Sequence, residues 1–580
     1  MKKQFVSKLM ASALTAAMAV SMLAGCGSGS AGTDAAASGD AGAAGSGTAA
    51  AEESGDVVTL NLLATKISSN VTDYPDTHVI QAMADKIGVK LNIIEADTDK
   101  YNVMLASGDG FDLILSPTTN FKQLIEGNVV VPMDDYLAEY GKDITANVPD
   151  TVEFSKGAWS NGTGKLYFLP MQVGVDSNGV QQQMGLLARW DYYKEMGYPE
   201  INNIDEWLNM LAEMQKAHPT TDDGLPVYGV SMFTDWNVWC YKYPLACVLG
   251  YNELSGSASG MYKPSTMEYE NLFAPDGLYW QSIAYYYKAN QLGILDPDAF
   301  ITKYDDFMAK GTNGQLLTGP AFWAMGDFNA THADEAVGFM EIPTTWANQW
   351  GNTNYKAGWV DKCFGISSKT KYPEKCMEFI NYGFSYDGAR QLYSGVEGVD
   401  YTVEDGVPTL TQESKDLYVN GGDAWKESGL GFDCNIVGLQ QYTVDPEDGK
   451  TLNLFYDPSI YPETLNAVQK DFCDYYQVSY PQEIFDKYRE ENGTFDQSNT
   501  DSFTIALIPS APDEITRIEA SLQETAISSA SKLVLAADDA EFEKIKQETM
   551  AEFDSIGLQD VVTWYSDAWK TAQEQAAQYE

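Results

Sequence analysis

The sequence predicts an α/β protein built from two lobes, and two observations support that fold class. Short apolar segments at 57–63, 89–94 and 111–115 alternate with segments of helical spacing, the pattern of a mostly parallel sheet. The chain has 580 residues, which is more than a single hydrophobic core usually supports. We therefore expect strands and helices to be shared between two lobes.

The first element is a leader at residues 1–25. Three lysines precede an apolar run, Leu9 to Leu23, that is too short to span a bilayer. The motif Leu23-Ala24-Gly25-Cys26 resembles the lipoprotein box of bacterial lipoprotein precursors. The resemblance implies that Cys26 is acylated and becomes the first residue of the mature protein, with its acyl chains in the lipid bilayer. The alternative is an ordinary signal peptide with an incidental cysteine.

The second element is a tether at residues 26–55. It consists mainly of Gly, Ala and Ser, and it contains too few apolar side chains to offset the entropy of ordering. We expect this segment to be disordered and the folded body to begin at residue 56.

Charge and composition exclude several functions. The formal net charge of −47 repels nucleic acid. The three histidines do not form a zinc motif, so we expect no metal and no cofactor. Six cysteines follow Cys26 without a recognisable disulfide spacing, and buried free thiols are the default interpretation, with a structural bridge as the alternative.

The folded body opens with alternating strands and helices. A helix is predicted at 75–87 and a shorter one at 100–107. Because ligands bind beyond the carboxyl ends of parallel strands, the loop at 95–99 is a candidate site, and within it Asp97 is a candidate ligand-binding residue.

Four motifs in this order resemble the family 1 extracellular solute-binding proteins, the ligand receptors of ABC importers, which most often bind oligosaccharides. They are Met104-Leu105-Ala106-Ser107-Gly108-Asp109, Val131-Pro132-Met133-Asp134-Asp135-Tyr136, Gly164-Lys165-Leu166-Tyr167-Phe168-Leu169-Pro170 and Leu187-Ala188-Arg189-Trp190-Asp191. The resemblance implies a two-lobed periplasmic-binding-protein-like fold of type II. Each lobe would be a mixed, mostly parallel sheet flanked by helices, and several chain crossings would form the hinge.

The same resemblance implies the lobe boundaries. The N-terminal lobe would contain residues 56–172 and 344–396, and the C-terminal lobe residues 173–343 and 397–580. Helices are predicted near the C-terminus at 512–536 and 539–556.

A helix start is predicted, without reference to any family, at Asn203-Ile204-Asp205-Glu206-Trp207. Asn203 can cap the helix while Glu206 reaches back, and Trp207 then belongs to the buried face. The loop that follows, 218–226, is short and lacks alternating oxygen ligands, so we expect no calcium there.

Five tryptophans are candidates for stacking on a ligand. Trp236 and Trp239 lie in a polar context without core periodicity, and Trp346 and Trp350 lie in a Thr/Asn/Gly-rich loop. Trp323 follows Gly319-Pro320 in a segment that resembles the family's Gly-Pro-Trp loop, and we expect its indole to line the cleft. The alternative for Trp236 and Trp239 is packing beneath a loop. For Trp346 and Trp350 it is a place in a lid, and for Trp323 a place in the core.

The segment Gly395-Val396-Glu397-Gly398-Val399-Asp400-Tyr401 resembles a Gly-x-Glu-Gly-x-x-Tyr signature of one lipoprotein branch of the family. It implies a crossing between the lobes, with Glu397 as a hydrogen-bond acceptor beside the cleft or as a residue that holds the hinge loop. Asp400 favours a neutral polyol ligand.

The sequence therefore predicts a monomeric solute-binding lipoprotein that is not an enzyme. It would be anchored to the outer face of the cell membrane and would carry an oligosaccharide or related small solute to the membrane subunits of an ABC importer. A surface glycoside hydrolase and a peptide-binding receptor of the same fold are the alternatives.

Overall fold

The computed structural model of this chain describes residues 57–65, 74–180, 184–254, 257–320, 322–348, 356–431, 436–492 and 502–579. The predicted signal peptide, Cys26 and the tether lie outside these residues. The described chain has thirteen named strands: β1 (Val58–Thr65), β2 (Val89–Ala96), β3 (Leu113–Ser116), β4 (Leu169–Met171), β5 (Leu187–Arg189), β6 (Asn252–Glu253), β7 (Gly260–Lys263), β8 (Glu268–Asn271), β9 (Thr318–Gly319), β10 (Phe339–Glu341), β11 (Trp359–Ile366), β12 (Tyr401–Glu404) and β13 (Val407–Leu410).

Helices separate these strands. In the first half of the chain they are α1 (His78–Ile87), α2 (Thr98–Ser107), α3 (Phe121–Glu126), α4 (Asp134–Tyr140), α5 (Lys142–Asn147), α6 (Pro149–Ala158), α7 (Trp190–Glu195), α8 (Ile204–Ala217), α9 (Tyr243–Leu249) and α10 (Leu278–Gln291). In the second half they are α11 (Tyr304–Thr312), α12 (Gly326–Thr331), α13 (Pro373–Phe384), α14 (Tyr386–Ser394), α15 (Gln412–Asn420), α16 (Gly422–Ser428), α17 (Ala467–Tyr476), α18 (Gln482–Asn492), α19 (Ser502–Ala506), α20 (Asp513–Val534), α21 (Asp539–Ile556) and α22 (Leu558–Ala576). Short 3-10 helices lie at Thr118–Asn120, Trp239–Tyr241, Phe322–Met325, Leu454–Tyr456 and Tyr461–Thr464.

The first sheet has the strand order β2-β1-β3-β11-β4. Strand β1 is parallel to both β2 and β3, which confirms the predicted strand-helix alternation at the start of the body. Strand β11 returns from far along the chain and is antiparallel to β3 and β4. The sheet is therefore mixed.

The second sheet has the order β10-β5-β9, and both of its pairings are antiparallel. Parallel pairing beside it is limited, in the described residues, to isolated bridges between Tyr228 and Leu316 and between Val230 and Leu295. The mostly parallel order that we expected for the second lobe is therefore not found among these strands. Strand β5 follows the segment that leaves the first sheet, and β10 precedes β11, which returns to that sheet. The chain therefore runs in opposite directions along β5 and β10, and the two strands pair antiparallel.

Helix starts follow the sequence signals closely. The Asn203 side chain accepts a hydrogen bond from the Glu206 amide at 2.9 Å, and Glu206 accepts one from the Asn202 amide at 2.8 Å. These bonds satisfy amides that a helix leaves without partners, so α8 begins where we expected. Trp207 is buried in the core, as predicted.

The buried side chains form two main groups within one compact unit, residues 54–580. One large core combines residues from 180–347 with residues from 461–569. The cores of the first sheet include Ile436, Leu452, Phe503 and Ala576, all of which we had assigned to the C-terminal lobe at 397–580. These short apolar segments lack a periodicity that would have revealed their return to the first sheet.

Five cysteines are buried and unpaired: Cys240, Cys247, Cys363, Cys376 and Cys473. Burial raises the pKa of the Cys240 and Cys247 thiols to about 12, so they stay protonated and unreactive at neutral pH. Cys434 lies outside the described residues.

We predict that Phe503→Ala destabilises the first-sheet core by about 3 to 5 kcal/mol, because it removes a buried ring. The Phe503 ring centroid lies 5.1 Å from that of Phe154 and 5.7 Å from that of Tyr579. Hydrogen exchange should show lost protection around Phe154 before α8 is affected. Leu535→Ala, at an exposed position, is the control and should change the denaturation midpoint little. Equal loss of protection in α8 would contradict this packing.

Candidate functional site

Five aromatic side chains form a surface feature that we call the aromatic shelf: Phe233, Trp236, Trp239, Tyr243 and Tyr304. Trp236 stacks on Tyr304 with ring centroids 4.6 Å apart, and Trp239 stacks on Tyr243 at 4.3 Å. The Trp236 and Trp239 rings meet edge to face at 5.4 Å. Trp236 is 41% exposed, whereas Phe233 beneath it is buried. The shelf thus presents an indole to solvent on a packed aromatic base.

Hydrogen bonds between two distant loops hold the shelf in position. The Thr234 amide donates to the Thr302 carbonyl at 3.0 Å, and the Tyr304 amide donates to Asp235 Oδ1 at 2.9 Å. These bonds tie the loop that carries Trp236 to the start of α11. The stacking of Trp236 on Tyr304 is therefore set before any ligand arrives.

The shelf lies beside the carboxyl end of β9 in the second sheet. Phe233 and Phe307 line a small cavity of about 20 Å³ together with Thr318, Gly319 and Pro320. The chain then enters the 3-10 helix Phe322–Met325, which contacts α11. The backbone of Trp323 is thus part of an element next to the shelf, and its side chain lies outside the described part of the structure.

Carboxylates surround the aromatic shelf. Burial raises the pKa of the Tyr304 phenol, and the nearby carboxylates of Asp305 and Asp327 raise it further. The phenol is therefore neutral at physiological pH and can donate a hydrogen bond. Asp235 is exposed at the shelf edge, and the Lys303 ammonium lies 3.5 Å from Thr234 Oγ1 on the same loop pair. The shelf combines an apolar face with both donors and acceptors.

Trp346 has a different environment from Trp236. Its indole nitrogen donates to the Ile201 carbonyl at 2.8 Å, and its ring packs against the large core. These contacts anchor the segment that follows β10. Trp350 lies outside the described residues.

Asp97 caps α2, because its Oδ1 accepts a hydrogen bond from the Lys100 amide at 2.8 Å. The side chain is exposed at the carboxyl end of β2, where the sequence places a ligand loop. This bond is local to the start of α2, and the role of Asp97 as a ligand-binding residue stays a prediction.

The turn at 395–400 separates the roles of Glu397 and Asp400. Asp400 is only 5% exposed; its Oδ2 accepts a hydrogen bond from the Val396 amide at 2.7 Å and lies 2.7 Å from His78 Nε2. A side chain at Gly395, which has φ of 89°, would collide with this carboxylate. Asp400 therefore holds the turn against α1. Glu397 is exposed on the same turn.

Sequence reasoning did not find Tyr304, the ring on which Trp236 stacks. The two residues lie far apart in sequence, and no local pattern connects them. The polar residues around Trp236 indicated that its indole was not a core residue, but they did not indicate that Tyr304 is the ring on which it stacks.

The described residues contain no group of three or more His, Cys, Asp or Glu side chains arranged to hold a metal ion. Within the same residues, no helix combines the length and the apolar character needed to cross a membrane.

One family model matches this chain. A model of the bacterial extracellular solute-binding protein family matches residues 72–390, more than half of the chain. A comparison with curated proteins finds no significant match.

Several solved structures share the fold. The alginate-binding protein AlgQ2, in a structure without calcium ion, is 15% identical over 88% of this chain and 98% of its own, with a TM-score of 0.56. The Streptococcus pneumoniae ABC-transporter substrate-binding protein FusA in complex with kestose is 14% identical over 89% of this chain and 100% of its own, with a TM-score of 0.58. An HMO-binding, ABC-transporter-associated protein from Bifidobacterium longum infantis is 15% identical over 88% and 98% of the two chains, with a TM-score of 0.52. These likenesses confirm the predicted periplasmic-binding-protein-like fold class.

The exposure of Trp236 predicts that its loss costs little stability. We expect Trp236→Ala to lower the unfolding free energy by about 1 kcal/mol, the value of an aromatic pair, because the ring supports few core contacts. Trp207→Ala, at a buried position, is the matched comparison and should cost about 3 to 5 kcal/mol. Urea denaturation of both variants measures the difference. Equal losses would mean that Trp236 is a core residue.

Proposed function

This chain belongs to the bacterial extracellular solute-binding protein family, and from that premise we propose that it captures an oligosaccharide between two lobes and delivers it to an ABC importer. Membership of the family makes it a solute-binding protein and not an enzyme. The proposed ligand, an oligosaccharide, is supported by the aromatic shelf.

A flat aromatic face suits a sugar because one side of a pyranose ring carries only C–H groups. The exposed Trp236 indole, fixed on Tyr304, offers such a face. The hydroxyls at the ring edge need donors and acceptors, and the Asp235 carboxylate and the Tyr304 phenol lie beside the indole. An oligosaccharide uses both kinds of contact at once.

The names of similar structures support a carbohydrate. They are an alginate-binding protein, a FusA complex with kestose and an HMO-binding protein. At 14% to 15% identity these structures share the fold with this chain, so their ligands indicate a class and not a specific sugar. Glu397, Trp239 and Trp323 remain candidates for further contacts.

The proposed mechanism is hinge closure. A ligand that touches loops of both lobes would stabilise the closed arrangement by its differential affinity for the two states. The buried Asp400 turn would then act as one fixed point of the hinge, since it is bonded to α1 through His78. The membrane subunits of the importer would recognise the closed form.

We further propose that Cys26 carries the lipid anchor. The lipoprotein box and the Gly/Ala/Ser-rich tether support this assignment. Two acyl chains give stable attachment where a single chain gives only marginal binding. The body would then lie at the outer face of the membrane, near its importer.

The first test is a titration with neutral oligosaccharides, using calorimetry for affinity and X-ray scattering for dimensions. We expect binding at one site per chain and a smaller radius of gyration when the ligand is bound. Trp236→Ala should weaken binding by about 1 to 3 kcal/mol, the range for losing a stacking contact and its buried area.

Two controls accompany this titration. Trp346→Phe removes an indole that is already bonded to Ile201, so it should leave the affinity nearly unchanged. Cationic peptides form the competing ligand set, because carboxylates and aromatic rings also suit them. Tight binding of peptides with no response to any oligosaccharide would overturn the proposed ligand class.

The second test concerns the anchor. Cys26→Ala should abolish acylation and move the protein from the membrane fraction to the soluble fraction. Its melting temperature should stay the same, because the Gly/Ala/Ser-rich composition of residues 26–55 predicts no packing contribution. Ser28→Ala, two residues away, is the matched control and should stay in the membrane fraction. Retention of an unacylated Cys26→Ala protein in the membrane would contradict the anchor.

A further inference from the structure

A second cavity, with lining residues different from those of the aromatic shelf, opens on the second sheet. Its volume is about 210 Å³, below the roughly 300 to 1,000 Å³ of pockets that hold drug-sized ligands. Leu187 of β5 and Glu341 of β10 contribute to it from the sheet, and residues of α12, α15, α17 and α18 complete it. We call it the second-sheet cavity. It shares no lining residue with the shelf.

Two residues that line this cavity each carry a buried side-chain oxygen atom that has no hydrogen-bond partner within the described part of the chain. The two atoms are Oε1 of Glu341 and Oε1 of Gln482. Gln482 is only 8% exposed, so solvent does not readily compensate its carbonyl. Buried polar atoms are nearly always paired in folded proteins, and an orphaned one costs about 1 to 3 kcal/mol. Two such acceptors on residues that line one cavity indicate a ligand that donates hydrogen bonds.

The charge of the lining narrows the class of ligand. Among the described residues that line the cavity, Glu341 has the one carboxyl group, and none is Lys or Arg. The other titratable groups that line it are the phenols of Tyr418 and Tyr461. Burial raises the pKa of Glu341 to about 8, although a hydrogen bond from its own backbone acts in the opposite direction. None of the described residues that line the cavity supplies a counter-ion for this carboxyl group.

We propose that the second-sheet cavity binds a small solute that carries a primary ammonium group, which ion-pairs with Glu341 and donates a hydrogen bond to Gln482. An ammonium has three donors and no acceptor, so it matches an environment of unpartnered oxygens. The rings of Tyr418, Tyr461 and Phe485 also line the cavity and suit a cation near their faces. The remainder of such a solute fills a space that is too small for an oligosaccharide.

Proton competition gives this binding a distinct pH dependence. Below its raised pKa of about 8, Glu341 holds a proton, which the ammonium must displace before the ion pair forms. The ionised fraction of such a carboxyl rises about tenfold per pH unit below the pKa. Affinity should therefore increase about tenfold between pH 6 and pH 7.

The experiment compares glucamine with sorbitol, which differ only in that an ammonium replaces one terminal hydroxyl. Calorimetric titration of the full chain at pH 6 and pH 7 should detect glucamine binding, with the stated pH dependence, and no comparable sorbitol binding. Glu341→Gln should abolish both the binding and its pH dependence. Gln482→Met should weaken binding while keeping the pH dependence, and it serves as the second variant if Glu341→Gln does not fold.

Two controls locate the ligand. Glu335→Gln removes an equal charge from an exposed position and should leave glucamine affinity unchanged. Trp236→Ala should also leave it unchanged, since the shelf is a separate feature. Equal affinity for sorbitol, a pH-independent glucamine affinity, or unchanged binding by Glu341→Gln would each overturn the proposal. Failure of the oligosaccharide titration would not affect it.

Discussion

The fold depends on a short set of backbone hydrogen bonds between a segment that leaves the first sheet and one that returns to it. The Val173 amide donates to the Gly438 carbonyl at 2.8 Å, and the Gln440 amide donates to the Val173 carbonyl at 2.9 Å. Gln172 reinforces the crossing, because its side-chain amide donates to the Tyr393 hydroxyl at 2.8 Å. A chain that serves two cores must cross between them, and buried crossings need their backbone groups paired. Because the segment at Val173 pairs with the later segment at 438–440, both the amide and the carbonyl of Val173 have hydrogen-bond partners.

This arrangement explains why the division of the chain between the cores is not a simple one. The segment around 436–452 must lie beside residues 172 and 173 to pair with them, so its apolar side chains enter the first-sheet core. The Asp400 turn lies between α14 and β12 and is fixed to α1 by the His78 contact. The segment at 436–452 and the Asp400 turn therefore each fix a later part of the chain to an element of the first half. The aromatic shelf, by contrast, packs against the large core of residues 180–347 and 461–569, and its contacts do not involve these crossings.

Local signals predicted local structure well, and they failed where a partner is distant. Asn203 and Glu206 identified the start of α8 because capping involves residues three or four positions apart. The ring beneath Trp236 was not predictable, because Tyr304 lies on another element and is brought close only by the packing of the Thr234 and Thr302 loops. The packing of Phe503 in a core of the first sheet was not predictable for the same reason, since a five-residue helix carries too short a pattern to show what it packs against. The strand-helix alternation predicted the parallel half of the first sheet, and it contained no information on the antiparallel second sheet.

The buried carboxylates of this protein show how structural and binding roles can be distinguished in a strongly acidic chain. Asp296 is fully buried, and it accepts hydrogen bonds from Ser231 at 2.7 Å and from the Lys310 ammonium at 2.6 Å. Asp400 is likewise buried, and it accepts from the Val396 amide. Both carboxylates have partners within the fold, so the loss of hydration on burial is offset and their role is to hold neighbouring elements. Glu341 differs, because one of its oxygens is buried without a partner and its pKa is raised. Among the described residues, Glu341 thus carries a buried oxygen whose lost hydration no partner offsets, and it lines a cavity. The ammonium group that we propose as its ligand would complete this pairing.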